Sequence, residues 1–344
     1  MKRLFVTIAA AALVCVTAAA QQPKELSVLQ FNVWQEGTVI EGGFDAIADE
    51  VARLEPDFVM LSEVRNYRNT RFCDRITEAL AARGQKYYSF YSDDTGLLSR
   101  HEITDSAVVF PLNNDHGTVH RLNAKIGDRE FAIYTAHLDY LNDTYYEVRG
   151  YDGNTWKKMD SPLTDVEEIL RRNVLSQRDE AVDSFLADAA KQAAAGAMVI
   201  IGGDFNEPSH LDWTEATRDS ADHHGVVIAW PCTSALAAAG FEDSYRVVYP
   251  DPVTHPGYTY PSVNPARKPE TVTWAPESDE RDRIDYVLYL PAGGLEAYDA
   301  AILGPDGCVV RSKEVPSVSQ DKFISPLGVW PTDHKAVFVK FRYR

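Results

Sequence analysis

The most informative segment of the chain reads Met198-Val199-Ile200-Ile201-Gly202-Gly203-Asp204-Phe205-Asn206-Glu207-Pro208. Its apolar beginning predicts a buried strand over 197–203. The two glycines that follow allow the backbone to turn sharply and to approach a ligand closely. Asp204 and Asn206 can then project from one side of the turn, although an Asx-type cap after a strand would use the same residue types. The segment therefore predicts a polar cluster at a strand end, which becomes a site only if other polar residues converge on it.

Apolar, β-rich runs recur along the whole chain. They predict strands at 26–34, 58–64, 87–92, 105–111, 129–138, 197–203, 284–290 and 336–342. An amphipathic helix is predicted over 43–54, because apolar residues repeat there at helical spacing until Pro56 stops the pattern. A second, long helix is predicted to begin at Thr164, where Thr164 and Glu167 form a capping box. Its buried stripe is predicted to contain Val166, Leu170, Val174 and Phe185.

The order of these elements predicts the fold class. Early strand–helix–strand units followed by several strands without intervening helices indicate an α/β fold of two mixed β-sheets packed face to face, with helices outside. No linker, repeat or low-complexity tract divides the chain, so we expect one domain over 21–344. A hydrophobic content of 45% is enough to form a substantial core.

Polar side chains follow several of the other predicted strands. The first strand ends near Asn32, the second contains Glu63 close to its end, and His137 ends a strand that begins at Arg129. Each residue alone would ordinarily be a solvated acid or a hydrogen-bonded structural group. A hard cation such as Mg²⁺ takes oxygen ligands from one or two carboxylates. Glu63 is therefore a candidate ligand if the other acids converge on it.

Two further polar segments lie toward the C-terminus. Asp285 opens one predicted strand, and Asp333 and His334 precede the last. An acid beside a histidine is usually part of a turn. A second acid on a neighbouring strand could instead hydrogen-bond the imidazole and leave one ring nitrogen free for chemistry, which is the arrangement that acid–base or phosphate-binding histidines need. We therefore expect Asp285 to orient His334.

The N-terminus has the pattern of an export signal. Lys2 and Arg3 precede an apolar run and a small-residue stretch, which predicts a signal peptide over 1–20 and an exported protein, periplasmic or secreted. The residues before Cys15 lack the small side chains of a lipoprotein cleavage site, which argues against lipid anchoring. No later segment is predicted to span a membrane. At most one disulfide can form among Cys73, Cys232 and Cys308, and the sequence leaves its pairing open.

The net charge of the chain limits the kinds of molecule that it is expected to bind. The formal charge is −17, and no basic arm or basic cluster is present. Binding a long duplex requires many lysine and arginine contacts to phosphates. Duplex nucleic acid is therefore a less favoured partner than a small molecule.

These motifs, in this order, resemble the endonuclease/exonuclease/phosphatase superfamily, which includes DNase I-like nucleases, inositol-phosphate phosphatases and neutral sphingomyelinases. The resemblance extends over about 26–342 and is most specific in 202–206, 283–286 and 333–334. It implies a four-layer α/β sandwich with one cleft at the strand ends, in an exported, bacterial-type member. Thr332 departs from the pattern, because a serine usually precedes the Asp-His pair.

The resemblance also implies a metal site. Glu63 would be the principal ligand of a divalent cation, with Asn32 and Asp333 close to the ion. The expected cofactor is Mg²⁺, with Mn²⁺ as the alternative. Whether one ion or two act is left open.

The same resemblance implies the roles of the catalytic residues. Asp204 would orient or deprotonate the attacking water, assisted by Asn206. His137 and His334 would bind the scissile phosphate, with Asp285 paired to His334. Phosphoryl transfer depends mainly on positioning and charge neutralisation, which these residue types supply.

His137 and Asp204 are separated by 67 positions, more than we would expect in a minimal member of the superfamily. The extra residues form an insert at about 140–165. It is either a surface loop or a cleft wall that selects the organic group of the substrate by stacking. On the second interpretation Tyr145, Tyr146 and Trp156 are expected to bind the substrate. Arg100, and Tyr258 in a second aromatic segment at 257–261, are further expected substrate-binding residues outside the insert.

The resulting prediction is a monomeric, exported, divalent-metal-dependent phosphoesterase. Its substrate would be a small organic or lipid-headgroup phosphoester, with a diester favoured over a monoester. A DNase-like nuclease is the alternative within the enzyme class. A non-catalytic binding protein on the same scaffold is disfavoured, because such a protein would be expected to lack some of the polar residues that are all present here.

Overall fold

The computed structural model describes residues 23–344. The predicted signal peptide, including Cys15, lies outside these residues. The strands are β1 Lys24–Asn32, β2 Phe58–Val64, β3 Tyr88–Ser89, β4 Asp94–Ser99, β5 Ile103–Phe110, β6 Gly117–Ile126, β7 Arg129–Leu138, β8 Met198–Asp204, β9 Glu242–Asp243, β10 Asp285–Tyr289, β11 Glu296–Leu303, β12 Cys308–Val310, β13 Lys313–Val315, β14 Phe323–Ile324 and β15 Ala336–Tyr343. The α-helices are α1 Gly43–Leu54, α2 Phe72–Ala82, α3 Thr144–Val148, α4 Val166–Asn173, α5 Arg178–Ala194, α6 Pro231–Ala238 and α7 Ser244–Val248.

The strands form two mixed sheets. The first has the order β14-β11-β15-β1-β2-β4-β3, and the second has the order β5-β6-β7-β8-β10-β9. β1 pairs with β2 in parallel, as β7 does with β8, whereas β15 and β10 run antiparallel to their neighbours. Strands β12 and β13 form a separate hairpin.

Three apolar clusters define the layers. The first fills the space between the two sheets and includes Val28, Met60, Ile133 and Ile200. The second lies between the outer face of the first sheet and helices α1 and α2, and the third lies between the second sheet and helices α5 and α6. The predicted four-layer α/β sandwich, two mixed sheets flanked by helices, is therefore confirmed.

Three elements have the predicted bounds, namely strands β2 and β7 and helix α1, and one strand is shorter than predicted. In α1 the apolar residues repeat at helical spacing, and β2 begins with the apolar run 58–61. The strand predicted at 87–92 is reduced to Tyr88–Ser89. The chain instead enters β4 at Asp94, whose φ of 58° places it in the left-handed region.

The predicted long helix from Thr164 is wrong in two respects. Asp165 is the capping residue, and its side chain accepts hydrogen bonds from the backbone N–H groups of Glu167 and Glu168. The helix also ends at Asn173, and α5 begins only at Arg178. Val174, which was expected in the buried stripe, is half exposed. The break allows the buried guanidinium of Arg178 to reach the carbonyl oxygen of Asp139 at 2.7 Å.

The insert at 140–165 folds onto the body of the protein. It contains α3 and contributes to a fourth apolar cluster, in which Tyr145 and Tyr146 pack with Trp213 and Trp230. This cluster lies beside the end of the sandwich where β7 and β8 finish.

The sequence also raised the questions of a disulfide and of a membrane-spanning segment. Within residues 23–344 the three cysteines are free thiols in buried positions, so none of them forms a disulfide. None of the helices in the same range combines the length and apolarity needed to cross a bilayer.

Candidate active site

Strand register brings three of the predicted residues into one row. Asp204, at the end of β8, pairs with His137 on the parallel strand β7 and with Asp285 on the antiparallel strand β10. The glycines before Asp204 permit this close approach, because a Cβ at Gly203 would lie 2.1 Å from the carbonyl oxygen of Ala136. The polar ends of the second sheet therefore meet at one edge.

The first sheet contributes Asn32 and Glu63 to the same edge. Glu63 occupies a bulge in β2 and has a φ of 64°, a left-handed conformation that is uncommon for a residue other than glycine. The Nδ2 atom of Asn32 donates to Oε1 of Glu63 at 3.1 Å and to Oδ2 of Asp204 at 2.9 Å. The backbone N–H of Gln35 donates to the second Glu63 oxygen at 3.0 Å. Asn32 thus links the two sheets at the site.

Each imidazole is held by a carboxylate. His334 Nδ1 lies 2.9 Å from Oδ2 of Asp285, whose other oxygen accepts a hydrogen bond from Gln30 at 3.0 Å. His137 Nδ1 lies 2.7 Å from Oδ2 of Asp94. In both pairs Nε2 is left to face the cleft, where it lies 3.8 to 3.9 Å from Asp204 Oδ2. Asp204 is therefore flanked by two oriented histidines.

Asp94 is the residue that the sequence did not reveal. It opens β4, which was not predicted, and no polar motif marks it apart from the neighbouring Asp93. Arg65 makes a 2.9 Å ion pair with Asp94 and a further ion pair with Asp115. A search for an acid able to orient His137, in the way that Asp285 was expected to orient His334, would have been the available signal.

The carboxylate partners determine the charge of the histidines. Burial alone would lower the pKa of each imidazole, but the neighbouring carboxylates outweigh it. Asp94 raises the pKa of His137 to about 9, and Asp285 raises that of His334 to about 10. Both rings are therefore cationic at neutral pH and present N–H donors to the cleft, as binding of an anionic phosphate requires.

The pKa of Asp204 is raised as well, which for a carboxyl group disfavours the charged form. Burial and the nearby Asp285 carboxylate raise its pKa to about 6. Its Oδ1 accepts the backbone N–H of Asn206 at 2.9 Å, while the Asn206 amide donates to the carbonyl oxygen of Leu138 at 2.9 Å. Asn206 therefore fixes the turn and the Asp204 carboxylate. A carboxylate with a pKa near neutrality is suited to accept a proton.

A second group of acids lies in the same cleft. Burial raises the pKa of Asp333 to about 7, and the negative charge of Glu63 adds to the effect. Asp333, Glu63 and Asp204 all line the cleft, and their mutual repulsion is what a divalent cation would relieve. The donor set therefore fits a hard cation.

Asp204, Asp285 and His334 also lie close enough together to hold a metal, with their ligand atoms within 4.8 Å of one another. Both Asp285 oxygens, however, already accept hydrogen bonds from Gln30 and His334. Asp285 is also fully buried and does not line the cleft, whereas Glu63 and Asp333 do, so these two are the better candidate ligands and Asp285 is better suited to orienting His334.

The cleft above these residues has a volume of about 380 Å³. One wall is aromatic: Trp156 stacks on Tyr140 with ring centroids 6.0 Å apart and contacts Trp274 at 4.9 Å. Trp274 is 53% exposed and was not expected from the sequence. Tyr145 and Tyr146 reach the cleft but are each only 2% exposed. The expectation that they stack on substrate is therefore corrected, since their rings belong to the fourth apolar cluster.

Two further expected substrate-binding residues lie elsewhere. Arg100 follows the end of β4 opposite to Asp94 and pairs with Glu55 at 3.3 Å. Tyr258 turns away from the cleft and packs under the guanidinium of Arg281, 5.0 Å from its ring centroid. Both expectations are corrected. Arg100 follows the end of β4 that lies away from the cleft. In the other segment it is Tyr260, two residues after Tyr258, that reaches the cleft, with its ring centroid 4.9 Å from that of His334.

Carboxylate-paired histidines around a central aspartate are suited to binding an anionic phosphoester and to activating water beside it. Residues 29–334 match the endonuclease/exonuclease/phosphatase family. The chain belongs to that family, whose members depend on divalent metals and hydrolyse phosphoesters.

Comparisons with individual proteins extend over nearly the whole chain. An uncharacterized Caenorhabditis elegans protein, F14F9.5, is 30% identical over 331 residues, which cover 92% of this chain and 91% of that protein. Truncated C. elegans TDP2 superposes with a TM-score of 0.53 at 17% identity, over 93% of this chain and 98% of that structure. The human Nocturnin catalytic domain gives 0.52 at 16% identity, over 94% and 98%. At these identities the structural likenesses show the shared fold.

Proposed function

We propose that the protein is an exported, Mg²⁺-dependent phosphodiesterase that hydrolyses a small organic phosphodiester by direct attack of water. The observation that carries this proposal is the placement of Asp204 between two carboxylate-paired histidines, His137 and His334. Asn32 joins the same aspartate to Glu63. One cleft thus combines a proton acceptor, two cationic hydrogen-bond donors for the phosphate, and an acid that can bind a metal ion.

In the proposed mechanism, Asp204 orients the attacking water and takes its proton. The Nε2–H groups of His137 and His334 donate to non-bridging phosphate oxygens and stabilise the negative charge there. Asp94 and Asp285 keep these rings oriented and charged. A divalent cation, held by Glu63 with Asp333 and Asn32 beside it, would further neutralise the phosphate. Mn²⁺ is expected to substitute for Mg²⁺ because it accepts the same oxygen ligands.

The lining of the cleft favours a small substrate over a long polymer. Among the described residues that line it, Arg65 is the one lysine or arginine, and it is already paired with Asp94 and Asp115. A polynucleotide that contacted several phosphates would need further free cations. The wall formed by Tyr140, Trp156 and Trp274 instead suits the organic group of a single ester. A lipid headgroup ester remains within this class.

A second candidate is the end of a single-stranded nucleic acid. The structurally similar D. rerio TDP2 has been solved in complex with a single-strand DNA product, at 17% identity to this chain and a TM-score of 0.52. The exposed face of Trp274 could stack on a base, and stacking is the main contact of many single-strand binders. The cleft would then accept the terminal nucleotides without following a duplex.

The proposal includes export and the organisation of the chain. The pattern of residues 1–20 supports removal of a signal peptide, after which 21–344 would act as one monomeric domain with an insert at about 140–165. N-terminal sequencing of the protein recovered from an expressing cell tests this part. A mature N-terminus near Gln21 is expected, and an intact Met1 in a cytosolic fraction would contradict it.

Activity should be tested on a substrate panel with the purified protein. We expect bis-p-nitrophenyl phosphate to be hydrolysed faster than p-nitrophenyl phosphate. Sphingomyelin, inositol phosphates, a single-stranded oligonucleotide and plasmid DNA would then identify the class of natural substrate. Preferred cleavage of plasmid duplex would contradict the small-substrate proposal, and preferred cleavage of the oligonucleotide end would support the second candidate. No hydrolysis of any substrate with Mg²⁺ or Mn²⁺ would favour a non-catalytic protein.

Replacing Glu63 with glutamine is expected to weaken Mg²⁺ binding by at least about tenfold, because an amide oxygen lacks the charge of a carboxylate ligand. Calorimetric titration of the metal-free protein measures this. Glu314→Gln, an exposed change on β13, is the matched control and should leave the affinity unchanged. The thermal midpoint without metal should be nearly the same in all three proteins. Wild-type affinity in the Glu63 variant would contradict its assignment as a ligand.

The aromatic wall gives a prediction about specificity. Trp274→Ala should raise KM for the natural substrate by about three- to tenfold, the loss expected for one exposed stacking contact. The KM for a small dialkyl phosphate, which has no ring to stack, should change little. Tyr91→Ala removes a similarly exposed ring outside the cleft and is the control. Equal effects on both substrates would show that Trp274 has a structural role.

A further inference from the structure

A further acid lines the catalytic cleft. Asp143 lies in the insert directly before α3, and it lines the same cleft as Asp204. With 2% of the residue exposed, it is as accessible as Asp204, of which 1% is exposed. The proposed mechanism provides an acceptor for the proton of the attacking water but no donor for the oxygen of the departing alcohol. Asp143 is a candidate for that donor if it holds a proton.

Two buried acids share one buried cation beside the cleft. The guanidinium of Arg178 lies 2.6 Å from Oδ1 of Asp143 and 3.7 Å from Oε2 of Glu207, and all three residues are buried. In the described part of the chain, no other lysine, arginine or histidine lies within ion-pair distance of either acid. If both acids were ionised, the group would carry an uncompensated buried negative charge, which is costly. One of the two acids therefore holds a proton.

The hydrogen bonds of the two acids differ. Oε1 of Glu207 accepts the backbone N–H of Cys232 at 2.7 Å, near the beginning of α6, and Oε2 accepts the side-chain amide of Asn173 at 2.6 Å. Both partners are donors, and the N-terminus of a helix favours a negative charge, so Glu207 is suited to the ionised form. Oδ1 of Asp143 accepts from Arg178, whereas its Oδ2 has no hydrogen-bond partner among residues 23–344. The proton therefore belongs on Asp143.

The other groups around Asp143 also favour its neutral form. Burial raises the pKa of Asp143 well above its ordinary range against the opposing effect of Arg178, and the carboxylates of Asp139 and Asp204 add to the increase. The two buried phenols of α3 are neutral, because burial raises the pKa of each well above its ordinary range; they are Tyr145 and Tyr146. A neutral carboxyl group at the cleft can donate a proton, and Arg178 then stabilises the carboxylate that is left.

We propose that Asp143 is a catalytic residue that protonates the oxygen of the departing alcohol, an inference that rests on the proposed phosphodiesterase function. As water attacks phosphorus, its proton passes to Asp204. The bond between phosphorus and the ester oxygen breaks, its electron pair stays with that oxygen, and the oxygen takes the proton of the Asp143 carboxyl group. A phosphomonoester and an alcohol are formed. Exchange with solvent then returns a proton from Asp204 to Asp143, which restores both groups.

Two diesters with leaving groups of different acidity test this role. The p-nitrophenolate of bis-p-nitrophenyl phosphate departs as a stable anion, whereas the benzyl alkoxide of dibenzyl phosphate needs a proton. Asp143→Asn keeps an acceptor for Arg178 but has no proton to give. It should lower the ratio of kcat/KM for dibenzyl phosphate to that for bis-p-nitrophenyl phosphate by about a hundredfold. Asp160→Asn, an exposed change in the same insert, is the matched control and should leave the ratio unchanged.

The possible outcomes separate this inference from the proposed function. An unchanged ratio in Asp143→Asn would overturn the assignment of Asp143, since a purely structural role would affect the two substrates equally. A wild-type protein that hydrolyses the nitrophenyl ester but not dibenzyl phosphate would overturn it as well. A wild-type protein that hydrolyses neither diester with Mg²⁺ or Mn²⁺ would instead contradict the proposed phosphodiesterase function.

A second variant tests proton donation directly. Asp143→Ala removes the carboxyl group and leaves room beside Arg178 for a small carboxylic acid. Added formate buffer should raise the ratio of the two rates in this variant by at least about tenfold, because only dibenzyl phosphate needs the proton that formic acid can supply. Sodium chloride at the same ionic strength is the control, and thermal midpoints show whether each variant is folded. No rescue by formate in folded Asp143→Ala, or equal stimulation of both substrates, would contradict the role of Asp143 as the acid.

Discussion

Asp204→Asn is expected to lower kcat by about two to four orders of magnitude, the largest effect of any single change considered for this protein. Asparagine keeps the shape of the side chain, and its amide oxygen can still accept the backbone N–H of Asn206. It cannot accept a proton from water. Because burial and Asp285 raise the pKa of Asp204 to about 6, the wild-type carboxylate is still largely ionised at neutral pH and is basic enough to take that proton.

The change should act on the chemical step and not on binding. The phosphate contacts come from His137 and His334, which the substitution leaves in place, so KM should change by less than about threefold. Steady-state kinetics on bis-p-nitrophenyl phosphate with saturating Mg²⁺ measures both constants. Asp128→Asn, at an exposed turn, is the matched control and should have wild-type kinetics. A variant at position 204 with more than a tenth of the wild-type kcat would show that another group prepares the water.

The second large effect concerns His334 and Asp285 as a pair. His334→Ala removes a cationic donor to the phosphate and should lower kcat by about two to three orders of magnitude. Asp285→Asn leaves the imidazole in place but removes the carboxylate that raises its pKa to about 10, so the ring should lose its charge and its orientation. The kcat of this variant should also fall by at least about a hundredfold.

The double variant distinguishes a pair from two independent groups. If Asp285 acts through His334, the Asp285→Asn/His334→Ala protein should be scarcely worse than His334→Ala alone, because the ring that Asp285 orients is already absent. Multiplication of the two losses would mean that Asp285 has a separate role, for instance as a metal ligand. The kinetics of the four proteins are compared at one pH, and their thermal midpoints show whether the double variant is folded.

The central part of the fold could be predicted from the sequence because its elements have a clear period. Helix α1 buries one continuous face, and β2 begins with an apolar run of four residues, 58–61. Strand β6 was missed because it carries His120, Arg121 and Asn123, all buried but polar, which conceal its period. Short strands such as β4 gain their stability from pairing with neighbours distant in sequence, and a local pattern does not contain that information.

The residues of the site likewise divide into those that the sequence pattern reveals and those that depend on pairing between distant segments. Asp204, Asp285 and His137 could be found because each ends or begins a predicted strand, and strand register then places them side by side. Asp94 could not be found in this way, because its strand was not recognised. The identity of the residues that face the cleft was also unpredictable, since Tyr258 and Tyr260 differ only in which side of one short segment they occupy.

The aromatic residues of the insert could not be assigned to the core or to the cleft from the sequence. Tyr145, Tyr146 and Trp156 look alike in the sequence as candidates for stacking on substrate, but the first two fill an apolar cluster and only Trp156 takes part in the wall. Its partner Trp274 comes from a loop more than a hundred residues later in the chain. Such a surface depends on tertiary packing and is visible only in the folded protein.

The most direct test of the proposed function is the rate of bis-p-nitrophenyl phosphate hydrolysis by the metal-free wild-type protein during titration with Mg²⁺. We expect negligible hydrolysis in EDTA and a saturable rise with Mg²⁺ or Mn²⁺ that Glu63→Gln shifts to higher concentration and Asp204→Asn abolishes. Hydrolysis at the full rate in EDTA, or a wild-type titration curve in both variants, would contradict it.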